Sequence, residues 1–204
     1  TIFYEYAEDV SLAARERGLR NVFVTNGFIA EAPLRRLAPV MDAANVDLKC
    51  FSDETYRHHL GGRLQPVLDT LRRLVELEVW VEVTTLLVPG LNDGGEELDA
   101  VAGFLASLDP CIPWHVSRFH PDHRMTDRPR TSLETLERAL DAGRRAGLRY
   151  VYPGNTPSHG GEHTCCHVCG EVLVEREGFS VRSCRIARGR CPGCLVALPG
   201  RFAR

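Results

Sequence analysis

"QPVLDTLRRLVELEVWVEVTTLLV", residues 65–88, changes its period halfway. Up to Glu78 the apolar residues Val67, Leu68, Leu71, Leu74 and Val75 recur at helical spacing. Pro66 sits near the first turn, where a missing N–H costs little. From Val79 the residues turn β-branched and read as a buried strand over 79–88. A helix that feeds directly into a buried strand is half of a β–α–β unit, and the same switch recurs on both sides. Upstream, 3–17 reads as a helix, "RNVFVTN" (20–26) as a strand, 31–41 as a helix with Pro33 near its start, and "AANVDLK" (43–49) as a strand. Downstream come a helix over 94–109, the strand "WHVSRF" (114–119), a helix over 132–147 with Thr131 or Ser132 as N-cap and Gly147 as stop, and a last strand over 148–153. Such alternation predicts an α/β fold with a parallel sheet and right-handed crossovers. Five strands are too few to close an eight-stranded barrel, so a partial parallel (β/α) barrel is expected over 1–153. The chain opens at Thr1 inside a helix-like pattern, which we read as an N-terminally truncated barrel.

The turn-rich stretch 154–164 reads as a linker, and 165–204 as a second, smaller module. That module gathers six of the eight cysteines. Cys166-x-x-Cys169 and Cys191-x-x-Cys194, with 21 residues between them, have zinc-ribbon spacing. Each CxxC turn offers two thiolates to one ion, and two turns complete a tetrahedron. Gly170 follows the first knuckle and Leu195 the second, where glycine suits the turn better. "EVLVE" (171–175) and "FSVRS" (179–183) between them read as a hairpin. Cys165 gives a poorer x3 spacing, Cys184 has no CxxC mate, and His167 is a minor substitute ligand. Four thiolates around zinc leave no open position, so the expected zinc is structural. A disulfide framework fits poorly beside a large partner unit.

Composition bounds the function. Hydrophobic residues make up 44% and charged residues 25% of 204, an ordinary globular balance that excludes a disordered chain. No apolar run approaches the roughly 20 residues of a membrane span, and no signal peptide is visible. A cytoplasmic setting without a membrane partner is expected. Net charge is −2, which gives no global pull on nucleic acid. From Cys166 to Arg204 seven Arg face three Glu, a balance of +4 that we read mainly as solvated surface. Of the 25 basic residues Lys49 alone is lysine, and an ammonium does different chemistry from a guanidinium.

In parallel α/β folds chemistry sits at the C-terminal ends of strands. There this sequence places Thr25-Asn26-Gly27, then Asp47 and Lys49 on one side of their strand, then Thr84 and Thr85 followed by "VPGLND" (88–93), then Ser117, Arg118 and His120. Each alone reads as a turn, an ion pair or a cap. Together they read as a rim for a polar small molecule.

These motifs resemble a known family. "VFVTNGF", "NVDLKCFSDETYR", "GGRLQPVLDTLRRL", "WVEVTTLLVPGLND", "PWHVSRFHPDHRMTDRP" and "LETLERA", with the tail "GRCPGC…LPG", look like the radical SAM enzymes of the AmmeMemoRadiSam system, relatives of pyruvate formate-lyase activating enzyme. The resemblance implies a partial (β/α)6 barrel with a [4Fe–4S] cluster and S-adenosylmethionine, whose reductive cleavage gives a 5′-deoxyadenosyl radical that abstracts hydrogen from a substrate. It makes Asn26, Asp47, Lys49 and His120 the cofactor-side candidates. Thr84 stands where activating enzymes carry a cofactor-binding Arg, which puts that contact in doubt. The superfamily's cluster hangs on CxxxCxxC, and this sequence has none. The resemblance therefore implies a C-terminal part whose cluster ligands lie outside this chain, inactive by itself.

The loops 53–63 and 121–130 are basic and donor-rich, and suit an acidic, peptide or protein substrate. The family also implies association with the two other proteins of its system. Two other functions compete. A Schiff-base barrel lyase would use Lys49, but Asp47 beside it favours the charged amine over the nucleophile. A non-enzymatic zinc-ribbon module would dock a partner through its basic tail.

Overall fold

The computed structural model describes residues 3–156, 161–178 and 180–202. Residues 157–160 of the predicted linker, Phe179 of the predicted hairpin and Arg204 of the basic tail lie outside these. Five strands form one sheet: β1 (Val22–Thr25), β2 (Ala43–Asp47), β3 (Trp80–Leu87), β4 (Trp114–Arg118) and β5 (Val151–Gly154). Their spatial order is β1-β2-β3-β4-β5 and every neighbouring pair is parallel. The helices are α1 (Tyr4–Glu16), α2 (Glu31–Leu37) with a 3-10 turn at Ala38–Val40, α3 (Asp53–Leu60), α4 (Leu64–Glu76), α5 (Gly95–Leu108) and α6 (Leu133–Arg145). Sequential order with right-handed crossovers sends successive helices to the same side. The result is a singly wound, open portion of a barrel.

Period-two alternation divides the strands cleanly. Ala44 and Val46, then Val81, Val83, Thr85 and Leu87, then Trp114 and Val116 face the helices and are buried. They meet Leu37, Val67, Leu71, Leu74, Leu98, Leu105, Leu136 and Leu140 in one core. At Gly143 a Cβ would come within 2.8 Å of Val151 and 3.1 Å of Trp114, so only glycine lets α6 approach the sheet this closely. The opposite, concave face carries Asn45, Asp47, Glu82, Thr84, His115, Ser117 and Tyr152.

Two expectations are corrected here. Residues 53–63 are not a loop: Asp53–Leu60 form α3. Ser52 caps it by accepting the Thr55 N–H at 3.2 Å, and Gly61 at φ 64° stops it. Thr84 and Thr85 do not share a rim. Thr84 is on the concave face, whereas Thr85 is buried and donates to the Leu48 carbonyl at 2.8 Å. Strand alternation forces this for any two successive residues.

A second sheet follows, with β6 (Thr164–Cys165), β7 (Val172–Glu177) and β8 (Ser180–Cys184) antiparallel in that order. The hairpin expected from the sequence is β7–β8, and β6 is an added strand at the end of the predicted linker. The core of this module is small: Cys166, Leu173, Val174, Cys191 and Leu198. Among the described residues no helix is long and apolar enough to cross a membrane.

Candidate functional site

Register places the concave polar residues in rows. Asp47 pairs with Thr84, Thr84 with His115, and His115 with Tyr152, so the four form one line across four strands. At one end of that line Lys49 Nζ meets Asp47 Oδ2 at 2.8 Å. Both side chains are about one-third exposed, 36% for Lys49 and 29% for Asp47, so the pair is open to a ligand. Its geometry is built from behind. Asn92, 4% exposed, donates to the Lys49 carbonyl at 2.5 Å and to the Leu86 carbonyl at 2.8 Å, and accepts the Val88 N–H at 2.7 Å. Tyr56 accepts the Lys49 N–H at 3.2 Å. "VPGLND" is thus more than a turn. Its asparagine ties the loop after β2 to the end of β3.

The other sequence-predicted rim residues are spread along the same C-terminal edge. Asn26 is exposed and its Oδ1 accepts the Phe28 N–H at 3.0 Å, closing its own turn. Gly27 beside it has φ 70°. Thr84 donates to Asn45 Oδ1 at 2.9 Å. Arg118 donates Nε and Nη2 to the Thr131 carbonyl, at 2.8 and 2.6 Å, and so shapes the next loop. His120 is exposed and among the described residues takes no hydrogen-bond or ion-pair partner. Asp47 and Lys49 are brought together, while Asn26 and His120 flank them without contact. The 121–130 loop is fastened by the Asp122–Met125 bridge and by Arg128 donating to the Pro89 carbonyl at 2.6 Å.

Further along the concave face lies a cluster that sequence reasoning missed. His115 Nε2 and Glu82 Oε2 are 2.7 Å apart, and Trp80 Nε1 donates to Glu82 Oε1 at 3.1 Å. Burial opposes ionisation of Glu82, yet these two hydrogen bonds outweigh it and hold the carboxyl below its ordinary range. The Tyr152 ring stacks on His115 at 5.3 Å. Arg176, from β7 of the second module, stands over Tyr152 at 5.9 Å. The available signal was the polar residue recurring at every second position in strands otherwise apolar.

The four predicted metal ligands converge. The Sγ atoms of Cys166, Cys169, Cys191 and Cys194 lie within 4.8 Å of one another, with Cys166–Cys194 and Cys169–Cys191 each at 3.6 Å. Zn–S bonds of about 2.3 Å at tetrahedral angles require sulfurs about 3.8 Å apart. The donor set therefore fits a four-coordinate ion. Backbone N–H groups of Cys169 and Val168 lower the Cys166 thiol to about 6 against the burial that opposes it. The Glu171 N–H favours the Cys169 thiolate, but burial and then the crowded sulfurs outweigh it and raise it to about 12. Four thiolates cannot gather here without a cation. Cys165 and Cys184 are exposed and outside the set. His167 is also outside it, with Nδ1 3.0 Å from the Tyr150 hydroxyl. Among the described residues this is the one His/Cys/Asp/Glu group arranged for a metal.

Residues 1–105 match the radical SAM superfamily. An uncharacterised protein of Methanocaldococcus jannaschii is 43% identical over 197 residues, which cover 95% of this chain and 58% of that protein. The pyruvate formate-lyase 1-activating enzyme of Escherichia coli is 21% identical over 161 residues, 72% of this chain and 65% of the enzyme. The chain thus spans less than two thirds of either relative. Among solved structures, a domain of pyruvate-formate lyase-activating enzyme from Bacteroides vulgatus superposes with a TM-score of 0.65 at 19% identity, covering 76% of this chain and 92% of that one.

Proposed function

The chain belongs to the radical SAM superfamily, and from that premise we propose that its C-terminal rim binds S-adenosylmethionine through Asp47 and Lys49. The observation that supports this most is the one-third-exposed Asp47–Lys49 pair, held from behind by buried Asn92. The methionyl end of the cofactor carries a carboxylate and an ammonium. Lys49 Nζ would pair with the first and Asp47 with the second, exchanging one ion pair for two charge-assisted ones. Asn26 and His120 flank this position and would offer donors to ribose or adenine. When bound beside a reduced [4Fe–4S] cluster, S-adenosylmethionine supplies a 5′-deoxyadenosyl radical that abstracts hydrogen. The residues described here do not fit that cluster: the sequence has no CxxxCxxC, and the gathered cysteines form two CxxC pairs that close on a single ion. In this reading the chain contributes the cofactor rim to a radical enzyme acting on a peptide or protein, in the cytoplasm.

On "PWHVSRFHPDHRMTDRP" and the "GRCPGC" tail we assign it to the AmmeMemoRadiSam system, with that system's two other proteins as partners. We assign zinc, in a structural role, to the four thiolates. A Schiff-base role for Lys49 is disfavoured by the carboxylate 2.8 Å from its amine.

Calorimetric titration with S-adenosylmethionine tests the rim. Binding weakened about tenfold or more by Lys49→Ala is expected for loss of a charged hydrogen bond of about 1.5–3 kcal/mol. Binding by the wild-type chain that Lys49→Ala and Asp47→Asn leave unchanged would remove these residues from the cofactor site.

A further inference from the structure

The second module does not hang free of the barrel. Its β6 and β7 lie against the β5 side of the concave face. Tyr152 on β5 hydrogen-bonds Thr164 on β6 through their hydroxyls at 2.9 Å. Arg176 Nη1 donates to that same Thr164 hydroxyl at 2.7 Å and to the Glu162 carbonyl at 2.9 Å, while its backbone N–H reaches His163 Nδ1 at 3.1 Å. The guanidinium is thereby held over the Tyr152 ring, whose other neighbour is His115, bonded in turn to Glu82. Two further contacts fasten the module: Tyr150 to His167, and Arg201 to the Glu78 carbonyl.

Arg176 and its partner Thr164 stand on the strands next to the four-thiolate site. Thr164 is two residues before Cys166, and Arg176 is two residues after Val174 on the same strand. Among the described residues Cys166, Leu173, Val174, Cys191 and Leu198 form the buried cluster of the module, with Ile186, Val196 and Phe202 packed against it. A core this small does not hold a fold without a metal or another staple. Release of a metal from this site should therefore loosen the register of β6 with β7, and with it the posture of Arg176. Tyr152 lies in the same row as Asp47, three strands away, about 14 Å at the usual inter-strand spacing. The module and the cofactor candidates thus stand at two ends of one polar line.

We propose that the metal-held module is a wall of the concave chamber, and that Arg176 is the positioning residue that couples occupancy of the four-thiolate site to the Glu82–His115–Tyr152 cluster. A planar guanidinium suits this position. Its Nη1 bonds a hydroxyl and a carbonyl at once while the planar group lies over an aromatic ring; an ammonium could make the two bonds but has no flat face to lay on the ring. The coupling is independent of the cofactor assignment, since it concerns protein groups alone.

The test uses the zinc-loaded chain and reads the ring resonances of His115 and Tyr152 by NMR, with His58, exposed on α3, as the remote reference. Arg176→Gln should keep its zinc and move both ring signals. Stripping zinc from the wild type with a chelator should move the same signals in the same direction, leave His58 in place, and be reversed by added zinc. Arg176→Lys should give only partial recovery. Removing zinc from Arg176→Gln should add little. Ring signals that stay at their zinc-loaded positions after stripping overturn the proposal. So does an undiminished shift on stripping Arg176→Gln, which would route the coupling through Tyr150 and His167. Loss of the His58 signal together with the others also overturns it, because the metal would then serve global stability and not this face.

Discussion

Leu195 shows how a single residue carries a cost for the metal site. It has φ 63°, in the left-handed region where its counterpart Gly170 sits at 75°. A β-carbon there costs about 1–2 kcal/mol, and Leu195 is 66% exposed, so little burial repays it. Leu195→Gly should therefore tighten zinc binding a few-fold, read by competition with a chromogenic chelator, after allowing for the greater freedom of glycine in the unfolded chain. Gly27 is the opposite case. Its φ is 70°, and an added Cβ would lie 2.8 Å from Val46 and 3.1 Å from Val67. Gly27→Ala should cost about 1–3 kcal/mol in urea unfolding. An unchanged midpoint would mean that the turn after β1 relaxes freely. The glycine, the CxxC pairs and Lys49 were all legible as residues. Glu82 and His115 were not singled out, because an isolated polar residue in a strand reads as surface until its partner across the sheet is known.

At the scale of elements, joints between loops decide where the rim stands. Thr131, fully buried, donates its hydroxyl to the Leu87 carbonyl at 2.6 Å and accepts the Phe119 N–H at 2.8 Å. It closes the long β4–α6 connection onto the end of β3. The isosteric Thr131→Val leaves the Phe119 N–H and the Leu87 carbonyl only their long bond to each other, 3.3 Å, and should cost about 1 kcal/mol in urea unfolding. Asp53 plays a similar part between α3 and α4. Its Oδ1 accepts the Leu64 N–H at 3.0 Å, with Arg57 at 2.8 Å and Arg63 at 3.4 Å. The Leu64 bond first, and the arginines after it, lower the Asp53 carboxyl below its ordinary range. Its stabilising contribution is then complete above the unfolded value of about 3.9 and is lost as pH falls through the lower folded value. Asp53→Asn should lower stability at neutral pH and flatten the acid limb below about pH 4. A steep, unaltered acid limb in thermal melts would assign that limb to other carboxylates. The helix α3 itself was missed in the sequence because "DETYRHHL" is polar all round. Its capping serine and stopping glycine were the signals that mattered.

For the whole molecule, the arrangement of the two sheets sets what metal loss does. Zinc removal should unfold the second module first and leave the five-stranded sheet, whose core of leucine and valine side chains is separate from the thiolate cluster. Acid should act the same way, since protons compete for the thiolates. Circular dichroism and a zinc-release assay followed together through an acid titration check this, and a single concerted transition would contradict it. The amino-acid sequence by itself determined the alternation of strands and helices, the parallel class and the two CxxC pairs, because period and spacing are local and each position reports its own face. Only the tertiary structure decided that Asp47, Thr84, His115 and Tyr152 share one row, that Thr85 leaves it, and that Arg176 crosses from the metal-held module to cover it. Those facts depend on strand register and on docking between segments far apart in the chain, and no local pattern carries either.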